Sequence, residues 1–247
     1  MHKFVNFNHQ IIPAENTFLS ANSAAALYGK GIFTTVAIYN FKPFLWEKHW
    51  ARLTANAKQI GVDFSNYTEQ TVKKSLLEIV EKNAFRTGRA RLTFYDESPT
   101  AIWQIDSKSG TSLLIQTADF RLIKDKLKLT VSPFQINSTS PLANVKSCNY
   151  LENVLAFEAA KAEGFDEAIR LNEQGEIASA CLANVFWKRN GEIFTPPPET
   201  GCLKGTTRDY VLENLKVVEK KAELDELFSA DEIFLTSAGI GVVAAKF

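Results

Sequence analysis

The sequence predicts an α/β (α+β) protein of two domains, and three observations support this. Its 247 residues are enough for one large domain or two small ones. Segments with helical periodicity alternate with short runs rich in β-branched and aromatic residues. The charged interval 119–128 is the best linker candidate, because it is poor in large side chains apart from leucines. We therefore expect a small first domain at 1–118, the linker at 119–128 and a larger second domain at 129–247.

The composition narrows the possible functions. The 28 basic and 28 acidic residues cancel, so charge gives no argument for a nucleic-acid or acidic partner. The three cysteines lack metal-ligand spacing, which favours a reduced compartment and no metal site. No apolar run reaches the roughly 18 residues of a membrane helix, and the first residues hold no signal-peptide core. We therefore expect a cytoplasmic protein that has no nucleic-acid or membrane partner.

The first domain is predicted to combine a hairpin, a central strand and two helices. Residues 1–15 are typical of a hairpin, and a short helical turn then closes at Gly29 and Gly31 before a strand. Large apolar side chains recur at helical spacing after Leu45, which predicts a helix that packs on its tryptophan side. The expected elements are that helix with Trp46, Trp50, Leu53, Ala57 and Ile60 packed, a helix at 68–83, and strands at 89–95 and 112–117.

The second domain is predicted to open with a strand at 131–136 and a loop at 138–144 that leads to Lys146. Apolar residues of the next helix share one face, namely Leu151, Val154, Leu155 and Ala159. The further elements expected are a strand at 168–171, a polar turn at 172–175, a second run ending at Phe186, a strand ended by the prolines at 196–198, a helix burying Val211, Leu215 and Val218, and a strand at 232–236.

Three short motifs on this framework carry chemistry. Arg52 lies in H-W-A-R-L, and its planar guanidinium suits a phosphate, although a surface arginine is the plainer alternative. Lys146 lies in K-S-C-N-Y-L-E just before a helix, where its side chain can point into a cleft. The segment G-C-L-K-G-T-T-R-D at 201–209 is typical of a helix start that binds an anion. Thr206 or Thr207 could also serve only as the N-cap of that helix.

These motifs, together with Y-G-K-G-I-F at 28–33 and A-N-V-F at 183–186, resemble the class IV aminotransferase family. Its members are the fold-type IV enzymes that use pyridoxal phosphate (PLP). They include branched-chain aminotransferases, D-amino-acid aminotransferases and aminodeoxychorismate lyase, and the resemblance runs from about Tyr28 to the C-terminus. It implies the two-domain, D-amino-acid aminotransferase-like fold, PLP in a cleft between the domains, a small-molecule substrate, and a homodimer.

The resemblance also implies roles for single residues. Lys146 would form the Schiff base with PLP and act as general acid and base, which requires a neutral amine and hence a lowered pKa. Arg52 would hold the phosphate, with His49 as its support. The other residues implied are Tyr150, Ser179, Thr206, Thr207, Ser237 and Ala238 for the cofactor, and Tyr28, Thr34 and Arg91 for the substrate. The plainer alternatives are a solvated loop lysine at 146, a packing tyrosine at 150 and exposed strand charges at 89 and 91.

One position departs from the family pattern. The family reads roughly G-x-V-x-E, with the glutamate holding a proton on the PLP ring nitrogen, whereas this chain reads G-E-I-A-S at 175–179. Glu176 is expected on the opposite strand face from Ser179, so it cannot simply replace the missing carboxylate. A serine hydroxyl can hydrogen-bond a neutral ring nitrogen but cannot stabilise a pyridinium as an anion does. The cofactor would therefore be a weaker electron sink.

This departure favours an elimination over a transamination, because an elimination that forms an aromatic ring has its own driving force. We therefore expect a 4-amino-4-deoxychorismate lyase, which makes 4-aminobenzoate and pyruvate for folate synthesis. The first alternative is a class IV aminotransferase acting on branched-chain or D-amino acids. The second is a catalytically weakened PLP-binding relative.

Overall fold

The computed structural model of the protein describes residues 1–101, 104–105 and 110–247. Its contacts divide the chain into two compact units. Unit 1 consists of Met1–Arg121 and Val145–Asn149, and unit 2 consists of Leu122–Asn144 and Tyr150–Phe247. The sequence prediction differs at the short segment 145–149, which it placed in the second domain together with Lys146.

Unit 1 contains an antiparallel six-stranded sheet in the order β2-β1-β8-β5-β3-β4. The sheet and its helices follow the chain in a simple order. The elements are β1 (Phe4–Phe7), β2 (Gln10–Pro13), α1 (Ala24–Tyr28), β3 (Gly31–Tyr39), β4 (Lys42–Pro43), α2 (Trp46–Ile60), α3 (Glu69–Lys82), β5 (Gly88–Asp96), the short β6 (Thr100–Ala101) and β7 (Gln104–Ile105), and β8 (Thr111–Ala118).

The predicted elements of unit 1 are confirmed. Helix α2 buries Trp46, Leu53 and Ala57 against the sheet, so its tryptophan side packs inward as the spacing indicated. Helix α3 begins after Thr68, whose hydroxyl accepts the backbone N–H of Thr71 in a capping box. Each large aliphatic side chain buried in this core stabilises unit 1 by about 1.5–3 kcal/mol.

The segment Val145–Asn149 pairs with the start of β3. Ile32 and Ser147 form an antiparallel bridge, the Phe33 N–H donates to the Lys146 carbonyl at 2.9 Å, and the Cys148 N–H donates to the Gly31 carbonyl at 2.8 Å. Gly31 is required here by space, because a Cβ would lie 2.7 Å from the Phe94 carbonyl oxygen and 3.0 Å from Cys148 Sγ. The backbone of Lys146 is therefore part of unit 1.

Unit 2 contains a mixed eight-stranded sheet in the order β11-β10-β9-β16-β15-β12-β13-β14. Parallel pairs join β9 to β10, β9 to β16 and β13 to β14. The elements are β9 (Lys126–Val131), α4 (Leu151–Ala162), β10 (Glu167–Leu171), β11 (Ile177–Ala180), β12 (Asn184–Arg189), β13 (Glu192–Thr195), α5 (Thr206–Asn214), β14 (Val217–Glu219), α6 (Asp225–Phe228), β15 (Glu232–Ser237) and β16 (Gly241–Lys246).

Two strand predictions in unit 2 were wrong. The strand expected at 131–136 runs from Lys126 to Val131, because this alternating run pairs on both sides and Pro133 has no N–H to continue the ladder. The second run ending at Phe186 is two strands rather than one. The strand is interrupted between β11 and β12. There the buried Glu167 carboxylate accepts hydrogen bonds from the backbone N–H groups of Cys181 at 3.0 Å and Leu182 at 3.2 Å.

Two helix faces also differ from the expectation. In α4, Ala156 and Ala160 are buried, whereas Leu151 is 66% exposed and the other large residues of its predicted face are also exposed. Helix α5 ends at Asn214 because the chain turns into β14 beside β13, so Leu215 is 49% exposed rather than buried in a helix. Val218 likewise lies in β14 with its side chain exposed.

Among the described residues, no helix is both long enough and apolar enough to cross a membrane. In the same part of the chain, no cluster of histidine, cysteine or acidic side chains is arranged to hold a metal ion.

Candidate functional site

The Lys146 amine lies against an aromatic ring in unit 1. Its Nζ is 4.5 Å from the centroid of the Phe33 ring, and the Arg91 guanidinium carbon is 3.7 Å from the same centroid. The hydrogen bond from the Phe33 N–H to the Lys146 carbonyl fixes both residues side by side at the sheet edge. The Lys146 amine and the Arg91 guanidinium therefore contact the same buried ring, which favours the charged guanidinium by a cation–π contact.

The environment of Lys146 favours its neutral form. The residue as a whole is half-buried, but its amine is deep enough that burial lowers its pKa well below the usual range for lysine. The positive charges of Arg52 and Arg91 lower the pKa of Lys146 further. A lysine amine is a nucleophile and a base only when it is neutral, and burial together with these charges favours that neutral form.

A chain of hydrogen bonds ties Arg52 to helix α2 and strand β3. The Arg52 Nη2 donates to Thr34 Oγ1 at 2.7 Å, and the same oxygen lies 2.7 Å from His49 Nδ1. Burial lowers the pKa of His49 well below its usual value, and the charge of Arg52 lowers it further. His49 is therefore neutral, and its Nδ1 accepts the Thr34 hydroxyl proton, which leaves the Thr34 oxygen to accept from Arg52. Thr34 links His49 to Arg52.

This neutral histidine predicts a pH dependence of stability. The folded pKa of His49 is below its unfolded value of about 6.5, so the unfolded chain takes up the proton first as the pH falls. The stabilisation is fully present above the unfolded pKa and is lost as the pH drops through the folded pKa. Urea midpoints between about pH 7.5 and pH 5 should decline less steeply for His49→Gln than for the wild type. Equal slopes for the two proteins would contradict this assignment.

Asn56 was missed by the sequence prediction. Its side-chain Oδ1 accepts the Lys146 backbone N–H at 3.0 Å, and it lies four residues after Arg52 on α2. The signal was present, because His49, Arg52 and Asn56 recur at spacings of three and four on the side of α2 next to its packed face. Polar residues at this spacing beside a buried face indicate that their side chains make hydrogen bonds inside the protein.

Arg91 and Tyr28 both lie in unit 1, Arg91 within the central strand β5 and Tyr28 at the end of α1, just before β3. Arg91 is exposed on β5, opposite Thr35 of β3, and its Nε donates to Thr93 Oγ1 at 3.2 Å. Tyr28 is the last residue of α1 and is half-buried before the left-handed Gly29. Arg91 contacts the Phe33 ring that Lys146 also contacts, so the structure brings these two predicted residues together.

The remaining predicted residues lie in unit 2. Ser179 is 8% exposed on β11, where it is the direct partner of Arg170 on β10. Tyr150 is the N-cap residue of α4, and Ser237 ends β15 before the turn that contains Ala238. Glu176 does not stand in for a carboxylate at Ser179, because its own carboxylate accepts from Asn172 Nδ2 at 2.8 Å and pairs with Lys221.

The start of α5 has the features of an anion site. Thr206 and Thr207 are the first two helical residues and both are buried, while the N-cap is Gly205, which provides no side-chain cap. The alternative that a threonine caps this helix was therefore wrong. The first amides of an α-helix have no partner within the helix, and its positive dipole end favours a negative ligand.

Asn184 fixes the position of this helix start. Its Nδ2 donates to the Leu203 carbonyl at 2.7 Å, and its Oδ1 would lie 2.1 Å from a Cβ built on Gly205. We expect Gly205→Ala to destabilise the protein by about 1–3 kcal/mol, because the buried amide must move and give up its hydrogen bond. Urea unfolding measures this loss. When Asn184 is already alanine, Gly205→Ala should lower the free energy of unfolding much less. An equal loss with asparagine and with alanine at position 184 would contradict the clash.

Comparison with other proteins identifies the family. The profile of the class IV amino-transferases matches residues 31–246. An aminodeoxychorismate lyase of Bacillus subtilis is 27% identical, with 96% of this chain and 83% of that protein aligned. A D-alanine aminotransferase of Bacillus licheniformis is 28% identical over 97% of this chain and 86% of that protein.

Solved structures agree with this assignment. The branched-chain aminotransferase of Thermoproteus uzoniensis superposes with a TM-score of 0.91 at 27% identity, covering 99% of this chain and 86% of that chain. The predicted fold-type IV architecture is therefore confirmed. Because the family profile spans nearly the whole sequence, this chain belongs to the class IV aminotransferase family, whose enzymes use PLP.

Proposed function

We propose that this chain is a 4-amino-4-deoxychorismate lyase, which splits its substrate into 4-aminobenzoate and pyruvate. The observation that carries the proposal is Ser179. It is buried on β11 at the position that the resemblance assigns to the carboxylate beside the PLP ring nitrogen. A hydroxyl there makes the cofactor a weaker electron sink, which penalises transamination more than an elimination that forms an aromatic ring.

The residues present fit PLP in both units. In unit 1, Lys146 offers an amine whose pKa is lowered by burial and by two arginines, as attack on an aldehyde requires. In the same unit, Arg52 offers a guanidinium fork, the group best shaped for a phosphate. In unit 2, the uncapped start of α5 offers backbone amides for an anion. Each unit thus offers groups of the kind that a phosphate-bearing aldehyde requires.

We assign the roles as follows. Lys146 carries the cofactor and moves protons, while Arg52 holds its phosphate and is oriented by Thr34 and His49. Thr34 would orient Arg52 and would not contact the substrate, because its hydroxyl is buried between Arg52 and His49. The other proposed contacts are Tyr150 and Ser179 at the cofactor ring, Thr206, Thr207, Ser237 and the Ala238 backbone at the phosphate, and Tyr28 and Arg91 at the substrate.

The proposed reaction uses these groups in order. When bound, PLP would supply an electron sink that acidifies the C–H bond next to the substrate amine. Lys146 Nζ removes the proton from the ring carbon that bears the amine, because the lowered pKa keeps it neutral beforehand. The C–O bond to the enolpyruvyl group then breaks and its electron pair goes to the oxygen. The Lys146 ammonium gives its proton to the methylene carbon of the released enolate, which completes pyruvate and restores the neutral amine. Arg91 holds a substrate carboxylate close to Lys146, since both side chains contact Phe33.

The direct test supplies purified enzyme, PLP and 4-amino-4-deoxychorismate. We expect 4-aminobenzoate, measured by chromatography, and pyruvate, measured with lactate dehydrogenase, in equal amounts. Absence of both products from a PLP-loaded protein would sink the lyase proposal.

The second candidate is an aminotransferase acting on branched-chain or D-amino acids. Similarity to the branched-chain enzyme of Thermoproteus uzoniensis and to the D-alanine aminotransferase of Bacillus licheniformis favours it. Mixing the loaded protein with such an amino acid would convert PLP to its pyridoxamine form only in this case, and absorbance reports the conversion. A protein that binds PLP but performs neither reaction would be a catalytically weakened relative.

We also propose a homodimer. Leu151, Val154 and Leu155 form an exposed apolar face on α4, and a second copy of the chain is the occupant that the family resemblance implies. Light scattering should then give a mass about twice the 27.6 kDa of one chain. A mass of one chain at working concentration would argue against it.

A further inference from the structure

One buried cation is left unused by the proposed reaction. Arg170 on β10 is only 2% exposed, although arginine is almost never fully buried without a specific partner. It stands directly opposite Ser179 in the antiparallel pair of β10 and β11. Directly opposed residues of such a pair have Cβ atoms about 4.5–5.5 Å apart on one face of the sheet. The guanidinium therefore belongs to the same face as the Ser179 hydroxyl.

The hydrogen bonds of Arg170 hold it in place and leave part of it available. Its Nε donates to the Phe134 carbonyl at 3.2 Å and its Nη2 to the Gln135 carbonyl at 2.8 Å. Within the described residues, Nη1 makes no hydrogen bond. A rigid guanidinium with one terminal nitrogen to spare is suited to donate to a ligand atom that carries a lone pair.

The acidic groups around Arg170 do not cancel its charge. Glu152 of α4 lies 3.4 Å away, but its side chain is exposed, and exposed ion pairs are weak because water screens them. The Glu167 carboxylate on the same strand accepts hydrogen bonds from the backbone N–H groups of Cys181 and Leu182 instead. Burial and the nearby Glu167 raise the pKa of the Cys181 thiol to about 12, so this thiol is neutral. The carboxylate nearest in sequence to Ser179, that of Glu176, is bound to Asn172 and Lys221.

We propose that Arg170 and Ser179 together form the contact to the cofactor ring nitrogen and keep that nitrogen unprotonated. This inference rests on the proposed placement of PLP beside Ser179. A positive charge next to a pyridine nitrogen disfavours a second positive charge there, whereas a lone pair accepts hydrogen bonds from a hydroxyl or a guanidinium. The substitution at 179 is then one half of a paired arrangement in which a buried cation and a hydroxyl replace an anion. Such a site suits reactions that need only a modest electron sink.

The test is ¹⁵N NMR of the protein loaded with PLP labelled at the ring nitrogen. We expect the chemical shift of a neutral pyridine in the wild type. Two double variants isolate the effect of the charge at position 170: Ser179→Glu/Arg170→Gln and Ser179→Glu/Arg170→Lys. Glutamine can still donate to the backbone carbonyls but is neutral, whereas lysine keeps the positive charge. We expect a pyridinium shift in the glutamine variant and a neutral shift in the lysine variant. PLP dissociation constants measured by fluorescence provide a second readout that needs no substrate.

The outcomes are distinguishable. A pyridinium shift in the wild type, or equal shifts in the two double variants, overturns the role of Arg170. If the double variants do not fold, as circular dichroism reports, the single variants Arg170→Lys and Arg170→Gln take their place. The pH at which the ring nitrogen takes up its proton should then be lower with lysine than with glutamine at position 170, and equal values overturn the role of Arg170. A neutral nitrogen in a protein without lyase activity supports this inference and removes the proposed function. Failure to bind PLP at all removes both.

Discussion

Lys146→Ala should abolish turnover, with a loss of at least about 10³-fold in kcat, because the proposed base and the cofactor attachment are the same amine. Borohydride reduction followed by peptide mass spectrometry should find PLP on Lys146 in the wild type and on no lysine in the variant. The loss is chemical rather than structural, since the backbone of residue 146 holds its bonds to Phe33 and Asn56 without the side chain.

The matched control is Lys58→Ala on helix α2. Lys58 is exposed in the same unit, so its removal should leave kcat and the trapped peptide unchanged. Residual activity of Lys146→Ala within tenfold of the wild type would show that another group does the chemistry.

Arg52→Lys should weaken PLP binding by roughly 10- to 150-fold, which corresponds to about 1.5–3 kcal/mol for a lost charged hydrogen bond. Lysine keeps the charge but loses the planar fork that binds a phosphate and the hydrogen bond to Thr34. Fluorescence titration of the apoprotein with PLP measures the change.

Arg86→Lys is the control for this variant, because Arg86 is an exposed arginine of the same unit whose Nε donates to Asn40. Its PLP affinity should equal that of the wild type. Equal affinities of the Arg52 and Arg86 variants would place the phosphate elsewhere. A Thr34→Val variant should reproduce part of the Arg52 effect, since it removes the oxygen that orients the guanidinium.

The elements that could be predicted from the sequence are those whose limits are local. Helix α3 was expected at 68–83 and runs from Glu69 to Lys82, because its cap residues Thr68 and Asn83 are visible in the sequence. Strand β9 was placed about five residues too late, because its partners β10 and β16 lie far along the chain. Periodicity cannot show which distant strand will pair with a run.

The candidate site shows the same division between local and distant information. The motif positions of Arg52 and Lys146 could be found in the sequence, since each lies in a short characteristic segment. Their shared surroundings could not, because Phe33 meets Lys146 only through the pairing of 145–149 with β3. The role proposed for Arg170 could not be predicted either. The segment A-I-R-L is typical of any strand, and only the register shows that Arg170 lies opposite Ser179.

The pairing of Val145–Asn149 with β3 has a consequence for synthesis and engineering. The chain changes unit after residues 121, 144 and 149, so no single cut in the polypeptide yields either unit complete. During synthesis, unit 1 can be completed only after the ribosome has released residues 145–149, which pair with the edge of β3. A fragment ending near residue 121 would expose the β3 edge without this cover, and we expect it to aggregate rather than fold.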